Sequence, residues 1–139
     1  MKKQFVVAIT GASGAIYGAR LTRYLTTAGH EVRLVVSDAG RLTLAHECST
    51  TPEDLASETG AHLEDNSDIA ARSASGSAKI EAVIVCPCSG TTIGKLANGI
   101  SDNLVTRSAV VAMKERRQLI IVPRESPYAT VHLEMMTRL

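Results

Sequence analysis

Four short runs of apolar residues recur along the chain, and each is followed by sequence compatible with an α-helix. The runs cover residues 5–9, 32–36, 82–86 and 119–122. Their continuous apolar character is typical of strands that are covered on both faces. Strands that alternate with helices predict a parallel sheet joined by right-handed crossovers. We therefore expect an α/β fold, a three-layer doubly wound parallel sheet of the Rossmann or flavodoxin type.

The segments between the strands have recognisable helix signals. Helices are predicted over about residues 15–27, 39–47, 92–98 and 102–116, and from about 129 to the end of the chain. Thr51 and Pro52 predict the start of a further short helix that Gly60 ends. On the first helix the residues expected to face inward are Ile16, Ala19, Leu21, Tyr24, Leu25 and Ala28. Residues 61–79 are polar and no linker or repeat is visible, so residues 1–139 are predicted to be one domain.

Composition excludes several classes of function. Lys and Arg number 15 against 14 Asp and Glu, and the chain has no Trp, so neither nucleic acid nor an anionic membrane is an expected partner. No apolar run approaches the ~20 residues that span a bilayer. The short apolar run after the basic N-terminus is a first strand rather than a signal peptide. Three cysteines at no framework spacing indicate a reducing compartment, and we expect a cytoplasmic protein.

Ligands of such sheets bind outside the carboxyl ends of the strands, so the four strand exits are the candidate sites. The first exit, residues 10–18, combines Gly11 and Gly14 with the start of a helix, whose N–H groups suit a phosphate. The second exit carries Ser37 and Asp38. The third exit, residues 87–92, places three hydroxyls and a glycine at a helix start.

The fourth exit places Arg124 and Glu125 between two prolines. A charged pair directly after a buried strand is either a structural ion pair or a ligand site, because an unpaired charge there is costly. Lys95 lies in a segment that superficially resembles a Walker A loop. The glycine spacing is one residue short and Leu96 follows the lysine, so a P-loop NTPase is excluded.

Other chemistry is sparse. The four histidines have no metal-ligand spacing, and no metal site is expected. Cys86 and Cys88 are interpreted as small residues at a strand end. Lys114 lies among the cations that end a helix, where they suit the helix dipole. Glu47 ends another helix, where a negative charge is unfavourable, and this mismatch indicates a functional role.

Six motifs occur in the order seen in one family of flavoproteins. They are residues 11–18, 74–77, 87–89, 98–107, 113–117 and 122–127. From residue 4 to its end the chain resembles the UbiX-type flavin prenyltransferases, which belong to the homo-oligomeric flavin-containing decarboxylase-like superfamily. The segments 113–117 and 122–127 favour the prenyltransferase branch.

The resemblance implies a reaction and its partners. Members of the family join a dimethylallyl group from dimethylallyl monophosphate to N5 and C6 of reduced FMN, without a metal. The product, prenylated FMN, serves UbiD-type decarboxylases. The family forms homo-oligomers, often dodecamers, with the flavin at subunit contacts.

The resemblance also implies roles for particular residues. The expected FMN contacts are Gly11, Ala12, Ser13, Ser37, Ser89, Gly90, Thr91, Thr92 and Arg124. The expected prenyl-phosphate site comprises Ser75, Arg107, Lys114, Arg124 and Glu125. The expected catalytic residues are Ser13, Glu47, Arg107, Lys114 and Glu125, with Glu47 taking the proton that the flavin loses. Clustered cations suit an ionising allylic phosphate, and a nearby carboxylate suits a proton acceptor.

The sequence departs from the family pattern in two places. Thr91 stands where the family often has Lys or Asn. Typical members also continue for several dozen residues, adding a strand, a tyrosine near the substrate, a basic phosphate ligand and a closing helix. The expectation is therefore a single flavoprotein domain, residues 1–139, that is a shortened form without this C-terminal strand and helix.

Three other functions remain open from the sequence. One is an FMN-dependent decarboxylase or redox flavoprotein of the same superfamily, and another is a catalytically inert FMN-binding module. The third is an NAD-dependent dehydrogenase, because residues 10–13 also open short-chain dehydrogenases. Two observations disfavour it: the chain has no Tyr-x-x-x-Lys motif, and Asp38 is the only candidate ribose ligand.

Overall fold

Five parallel strands form one sheet in the computed structural model, which describes residues 1–139. The strands are β1 (Gln4–Ile9), β2 (Glu31–Val36), β3 (His62–Glu64), β4 (Ala82–Cys88) and β5 (Gln118–Pro123). Their order across the sheet is β3-β2-β1-β4-β5, and every neighbouring pair is parallel. The predicted α/β fold with a doubly wound parallel sheet is confirmed.

Six α-helices connect and follow the strands. They are α1 (Ala15–Thr27), α2 (Asp38–Cys48), α3 (Pro52–Thr59), α4 (Gly90–Ala97), α5 (Leu104–Lys114) and α6 (Thr130–Arg138). The predicted caps of α3 are confirmed, because the Thr51 hydroxyl accepts a hydrogen bond from Asp54 N and Gly60 ends the helix in a left-handed conformation. None of the helices combines the length and apolarity needed to cross a membrane.

The inner face of α1 is built from small residues. Ala15, Gly18, Ala19 and Thr22 are buried, whereas Ile16 and Tyr24 are exposed and Ala28 is also at the surface. The prediction that Ile16, Tyr24 and Ala28 face inward is therefore wrong. A Cβ on Gly18 would lie 2.4 Å from the carbonyl oxygen of Cys86, so α1 approaches the sheet too closely for large inward side chains.

We expect Gly18→Ala to destabilise the fold by about 1–3 kcal/mol, because the added methyl group overlaps backbone that cannot move away easily. The matched control is Gly94→Ala in α4, where a Cβ meets no atom within 4 Å. This control should gain up to about 1 kcal/mol from helix propensity. Urea unfolding of both variants measures the difference, and equal free energies of unfolding would contradict this close packing.

Strand β4 is the most deeply buried strand, with all seven of its residues inside the protein. Cys86 and Cys88 lie within it as free thiols. Burial raises the pKa of the Cys88 thiol to about 12 and also raises that of Cys86. Both cysteines therefore act as small core residues, as the sequence predicted.

Strand β5 differs from the expectation of a strand covered on both faces. Its residues alternate between half-buried and exposed, and Ile120 and Val122 are 38% and 41% exposed. The pairing of Ile84 with Ile120 places these side chains on the α1 side of the sheet. Ile120 and Val122 are exposed because β5 is an edge strand and no helix covers its face on the α1 side.

Candidate functional site

Hydrogen bonds tie the carboxyl ends of neighbouring strands into one continuous rim. Thr10 Oγ1 donates to the carbonyl oxygen of Pro87 at 2.6 Å and accepts from Ser89 N at 2.9 Å. Arg124 N donates to Cys88 O at 3.1 Å, and Ser37 N donates to Ile9 O at 3.0 Å. The exits of β1, β2, β4 and β5 therefore lie side by side, as the parallel sheet predicted.

A cavity of about 460 Å³ opens on this rim. Its lining residues are almost all polar and come from the strand exits and the helix starts behind them: Thr10, Gly11, Ser37, Asp38, Ala39, Asn66, Ser89, Thr91, Thr92, Lys95 and Asn103. This volume lies within the range of ~300–1,000 Å³ that is typical of small-molecule sites. The cavity brings together five of the residues that were predicted as cofactor contacts: Gly11, Ser37, Ser89, Thr91 and Thr92.

Three helix N-termini point at the cavity. Ser37 caps α2 by accepting from Gly40 N at 3.0 Å, and Ser89 caps α4 by accepting from Thr92 N at 3.2 Å. Asn103 caps α5 by accepting from Thr106 N at 2.9 Å. The Ser37 hydroxyl retains a proton to donate, and the Ser89 and Thr92 hydroxyls, 2.9 Å apart, have one free proton between them. Converging helix N-termini favour an anionic ligand such as a phosphate ester.

Close packing of glycines forms the floor of the rim. A Cβ on Gly11 would lie 2.4 Å from the Cβ of Ala39, and one on Gly40 would lie 2.5 Å from the carbonyl oxygen of Ile9. The turn after β1 and the start of α2 therefore touch without intervening side chains. This contact leaves the space above them free for a ligand.

Helix α2 crosses this edge of the sheet, and its last turn returns to the start of α1. Glu47 Oε1 accepts hydrogen bonds from Gly14 N at 2.9 Å and Ala15 N at 3.1 Å. The expectation that these two N–H groups are free for a phosphate is therefore wrong. The contact also explains the acid at a helix C-terminus, because Glu47 is stabilised by the N-terminus of another helix. Ser13 is exposed directly beside it.

Arg124 and Glu125 follow β5 beside the start of α4. Neither makes an ion pair, so the structural ion pair that the sequence left open is not formed. Glu125 Oε1 accepts from Ser126 N at 3.3 Å. Arg124 is exposed and does not line the 460 Å³ cavity, and neither do Ala12, Ser13 and Gly90. These four predicted contacts lie next to the cavity rather than on its wall.

The remaining predicted residues are divided between the two edges of the sheet. Helix α5 begins at the carboxyl edge, where Asn66 O and Oδ1 accept from Leu104 N and Val105 N. Helix α5 ends at Lys114, just before β5 begins. Lys114 therefore lies at the edge of the sheet where the strands begin, the amino edge. Ser75 is also there, because Arg117 Nη1 donates to its carbonyl oxygen at 3.0 Å. Only Arg107, exposed in the second turn of α5, is near the rim.

An acidic hollow of about 300 Å³ adjoins the cavity on the β3 side and includes Asp38 and Asp65. Arg41 pairs there with Glu53, at 2.7 Å between Nη1 and Oε2. Hydrogen bonds from Arg41 lower the pKa of Glu53 to about 2. Carboxylates at this end repel phosphate. At the other end Lys95 Nζ is paired with Asp102 at 3.0 Å, so the N-termini of α4 and α5 are the better place for an anion.

Sequence reasoning missed Asn66 and Lys95 as cavity residues. Asn66 lies in a polar segment without any periodic signal, and Lys95 appeared only in the rejected Walker-like segment. Asn103 could have been recognised from sequence, since an Asn directly before an apolar helical run is a common N-cap. No group of three or more His, Cys, Asp or Glu side chains has the geometry to hold a metal ion.

Comparisons with known proteins identify the family. Residues 1–138 match the family model described as Flavoprotein. The chain is 43% identical over 141 residues to the flavin prenyltransferase UbiX of Chlamydia pneumoniae, an alignment that covers 99% of this chain and 73% of the relative.

Solved structures agree with this match. AnUbiX (PadA1), in complex with FMN and dimethylallyl pyrophosphate, superposes with a TM-score of 0.94 at 34% identity, covering 99% of this chain and 73% of AnUbiX. A dodecameric FMN-dependent UbiX-like decarboxylase from Escherichia coli O157:H7 superposes with a TM-score of 0.92 at 37% identity, over 97% and 73% of the two chains. The peptidyl-cysteine decarboxylase EpiD, at 21% identity and a TM-score of 0.76, shares the fold. The chain belongs to the flavoprotein family and, within it, to the UbiX-type flavin prenyltransferases.

Proposed function

We propose that this chain is a flavin prenyltransferase that joins the dimethylallyl group of dimethylallyl monophosphate to N5 and C6 of reduced FMN and releases phosphate. The observation that carries the proposal is the 43% identity to a flavin prenyltransferase over 99% of the chain. The polar cavity at the strand exits supports it, because three of the six motifs of the resemblance meet there, through Gly11, Ser89 and Asn103. Reduced FMN supplies the nucleophilic ring, and the chain's own residues bind, orient and move protons.

The residues on the rim suit FMN. The hydroxyls of Ser37, Ser89 and Thr91 can donate to ribityl and phosphate oxygens, and the close Gly11–Ala39 contact leaves room for a flat ligand. The phosphate of FMN would lie toward the N-termini of α4 and α5, away from the acidic hollow. Thr91, which departs from the family pattern, would give this end a hydroxyl donor in place of a longer side chain.

The prenyl-phosphate site would be shared between copies of the chain. Ionisation of an allylic phosphate places charge on the departing anion, which cations must stabilise. Arg124 lies at the carboxyl edge and Lys114 at the amino edge, so the length of a strand, roughly 15–20 Å, separates them within one subunit. A second copy whose amino edge meets this rim would bring Lys114 and Ser75 to Arg124, Arg107 and Glu125.

Glu47 is the proposed acceptor of the proton that the flavin loses when the new ring closes. Two backbone N–H groups fix its Oε1 at the rim, and Oε2 has no hydrogen-bond partner in the protein. A carboxylate held in this way can take a proton without moving. Ser13, directly beside it, would donate a hydrogen bond to the flavin.

The partners follow from the same proposal. Prenylated FMN would pass to a UbiD-type decarboxylase, and the chain would assemble as a homo-oligomer, with a dodecamer as the expected size. Three free cysteines, two of them buried in β4, suit the reducing cytoplasm in which we place the reaction.

The test measures phosphate release under anaerobic conditions. The protein with dimethylallyl monophosphate and reduced FMN should release one phosphate for each flavin consumed, and with oxidised FMN it should release none. FMN binding without phosphate release would leave an FMN-binding module, and release of carbon dioxide from a cysteine-ending peptide would indicate a decarboxylase instead. Either result would overturn the proposal.

A further inference from the structure

Gly90, the first residue of α4, has no side chain, and the side chains of His132 and Glu125 lie beside the space this leaves. We call this space the Gly90 gap. A Cβ on Gly90 would lie 2.6 Å from Nε2 of His132 and 3.1 Å from Oε2 of Glu125. The imidazole and the carboxyl group therefore converge on the space that a side chain at position 90 would occupy. His132 comes from α6, Glu125 from the turn after β5, and Gly90 from the first residue of α4.

The ring of His132 is held in one orientation. Its Nδ1 accepts a hydrogen bond from Ala129 N at 3.1 Å, which caps the start of α6. Tyr128 packs against it with an interplanar angle of 80° and a centroid separation of 6.3 Å. Because Nδ1 is an acceptor, the neutral ring carries its proton on Nε2. The Nε2–H group thus faces the gap beside Glu125.

The Glu125 carboxyl group has an oxygen available for this donor. Its Oε1 accepts from Ser126 N at 3.3 Å, and Oε2 has no hydrogen-bond partner in the protein. Hydrogen bonds at catalytic groups are often long before the ligand binds and shorten in the loaded site. No hydrogen bond or ion pair joins His132 to Glu125 in this structure, and the two groups face the same gap at Gly90 from opposite elements.

We propose that His132 is a positioning residue for Glu125: its Nε2–H bonds Oε2 of that carboxyl group in the loaded site and fixes the direction in which Glu125 faces the prenyl phosphate. Gly90 is required because any side chain there would separate the two groups. The inference rests on the proposed function, since Glu125 acts in the prenyl-phosphate site. It adds a residue of α6, His132, to the site.

Two variants of His132 separate this role from helix capping. In His132→Asn the amide oxygen can replace Nδ1 and keep the bond from Ala129 N, but nothing replaces Nε2–H. In His132→Gln the amide nitrogen can replace Nε2–H and reach Glu125. We expect His132→Asn to lower kcat about 10-fold, the rate equivalent of one hydrogen bond to a charged group, and His132→Gln to remain within about 3-fold of the parent.

The thermal midpoint and the FMN affinity of each variant are measured alongside kcat. A purely structural role predicts the reverse order, with His132→Asn close to the parent and any loss following stability. That order, or equal kcat for the parent and His132→Asn, would overturn the proposal.

A double-mutant cycle shows whether His132 acts through Glu125. In a Glu125→Gln background, His132→Asn should lower kcat by less than about 2-fold, because the two changes remove the same interaction. Gly90→Ala should imitate His132→Asn in kcat, whereas Gly94→Ala, in the same helix but in open space, should not. Fully additive losses would contradict the coupling.

The outcomes also distinguish this inference from the proposed function. If the parent protein releases no phosphate from dimethylallyl monophosphate, the proposed function fails. If the parent is active and the His132 variants do not follow the expected order, the positioning role alone fails.

Discussion

Glu47→Gln is expected to slow prenyl transfer by about 10²- to 10⁴-fold while changing the affinity for FMN by less than about 3-fold. Glutamine keeps an oxygen that can accept from Gly14 N and Ala15 N, so the junction of α2 with α1 should remain intact. What it removes is the ability to take a proton. Anaerobic product formation and quenching of FMN fluorescence on binding measure the two effects separately.

A matched control for Glu47→Gln is Glu58→Gln. Glu58 is also a helical glutamate, and it pairs with Arg23 at 3.1 Å on the exposed surface, away from the rim. The rate of this variant should equal that of the parent, because exposed ion pairs contribute ~0–1 kcal/mol to stability and nothing to the chemistry. Equal losses of rate and FMN affinity in Glu47→Gln would contradict its role as a proton acceptor.

Mixing two inactive variants is expected to restore activity. Lys114→Ala and Arg124→Ala should each lower kcat about 10²–10³-fold, because each removes a cation from the departing phosphate. Since the two residues lie at opposite edges of the sheet, a shared site takes them from different copies. Oligomers assembled at random from equal amounts of both variants would have both cations in about one quarter of their sites.

The measurement uses two affinity tags, so that only mixed oligomers formed by co-expression are assayed. The expected result is about one quarter of the parent rate, a gain of more than about 10-fold over either variant alone. The control co-expresses the Lys114→Ala variant with a double variant that carries both Lys114→Ala and Glu47→Gln. Every site in these oligomers lacks Lys114. A mixture no more active than its components would show that each site is built within one subunit.

The positions of the strand exits could be predicted from sequence because they depend only on the parallel sheet. Once residues 5–9 and 82–86 are recognised as buried strands, Gly11 and Ser89 must lie at the same edge. The caps of α3 were equally predictable, since Thr51 and Gly60 act locally. Local signals and the hydrophobic period therefore account for the architecture and for most of the rim.

Contacts set by tertiary packing could not be predicted in the same way. Glu47 reaches the start of α1 only because α2 lies across the carboxyl edge, and no local pattern gives the direction of a helix. The exposure of Tyr24 depends on how closely Gly18 lets α1 approach the sheet. The separation of Lys114 from Arg124 could be predicted from the sequence, because α5 must run back to the start of β5. The assignment of both residues to one site came only from the family resemblance.

The most direct test of the central claim is the mass of the flavin recovered after anaerobic incubation of the protein with reduced FMN and dimethylallyl monophosphate. We expect a flavin heavier by C5H8, which is the dimethylallyl group added with the net loss of one proton, formed by the parent and greatly reduced in Glu47→Gln. Recovery of unmodified FMN from a protein that binds it tightly would contradict the claim.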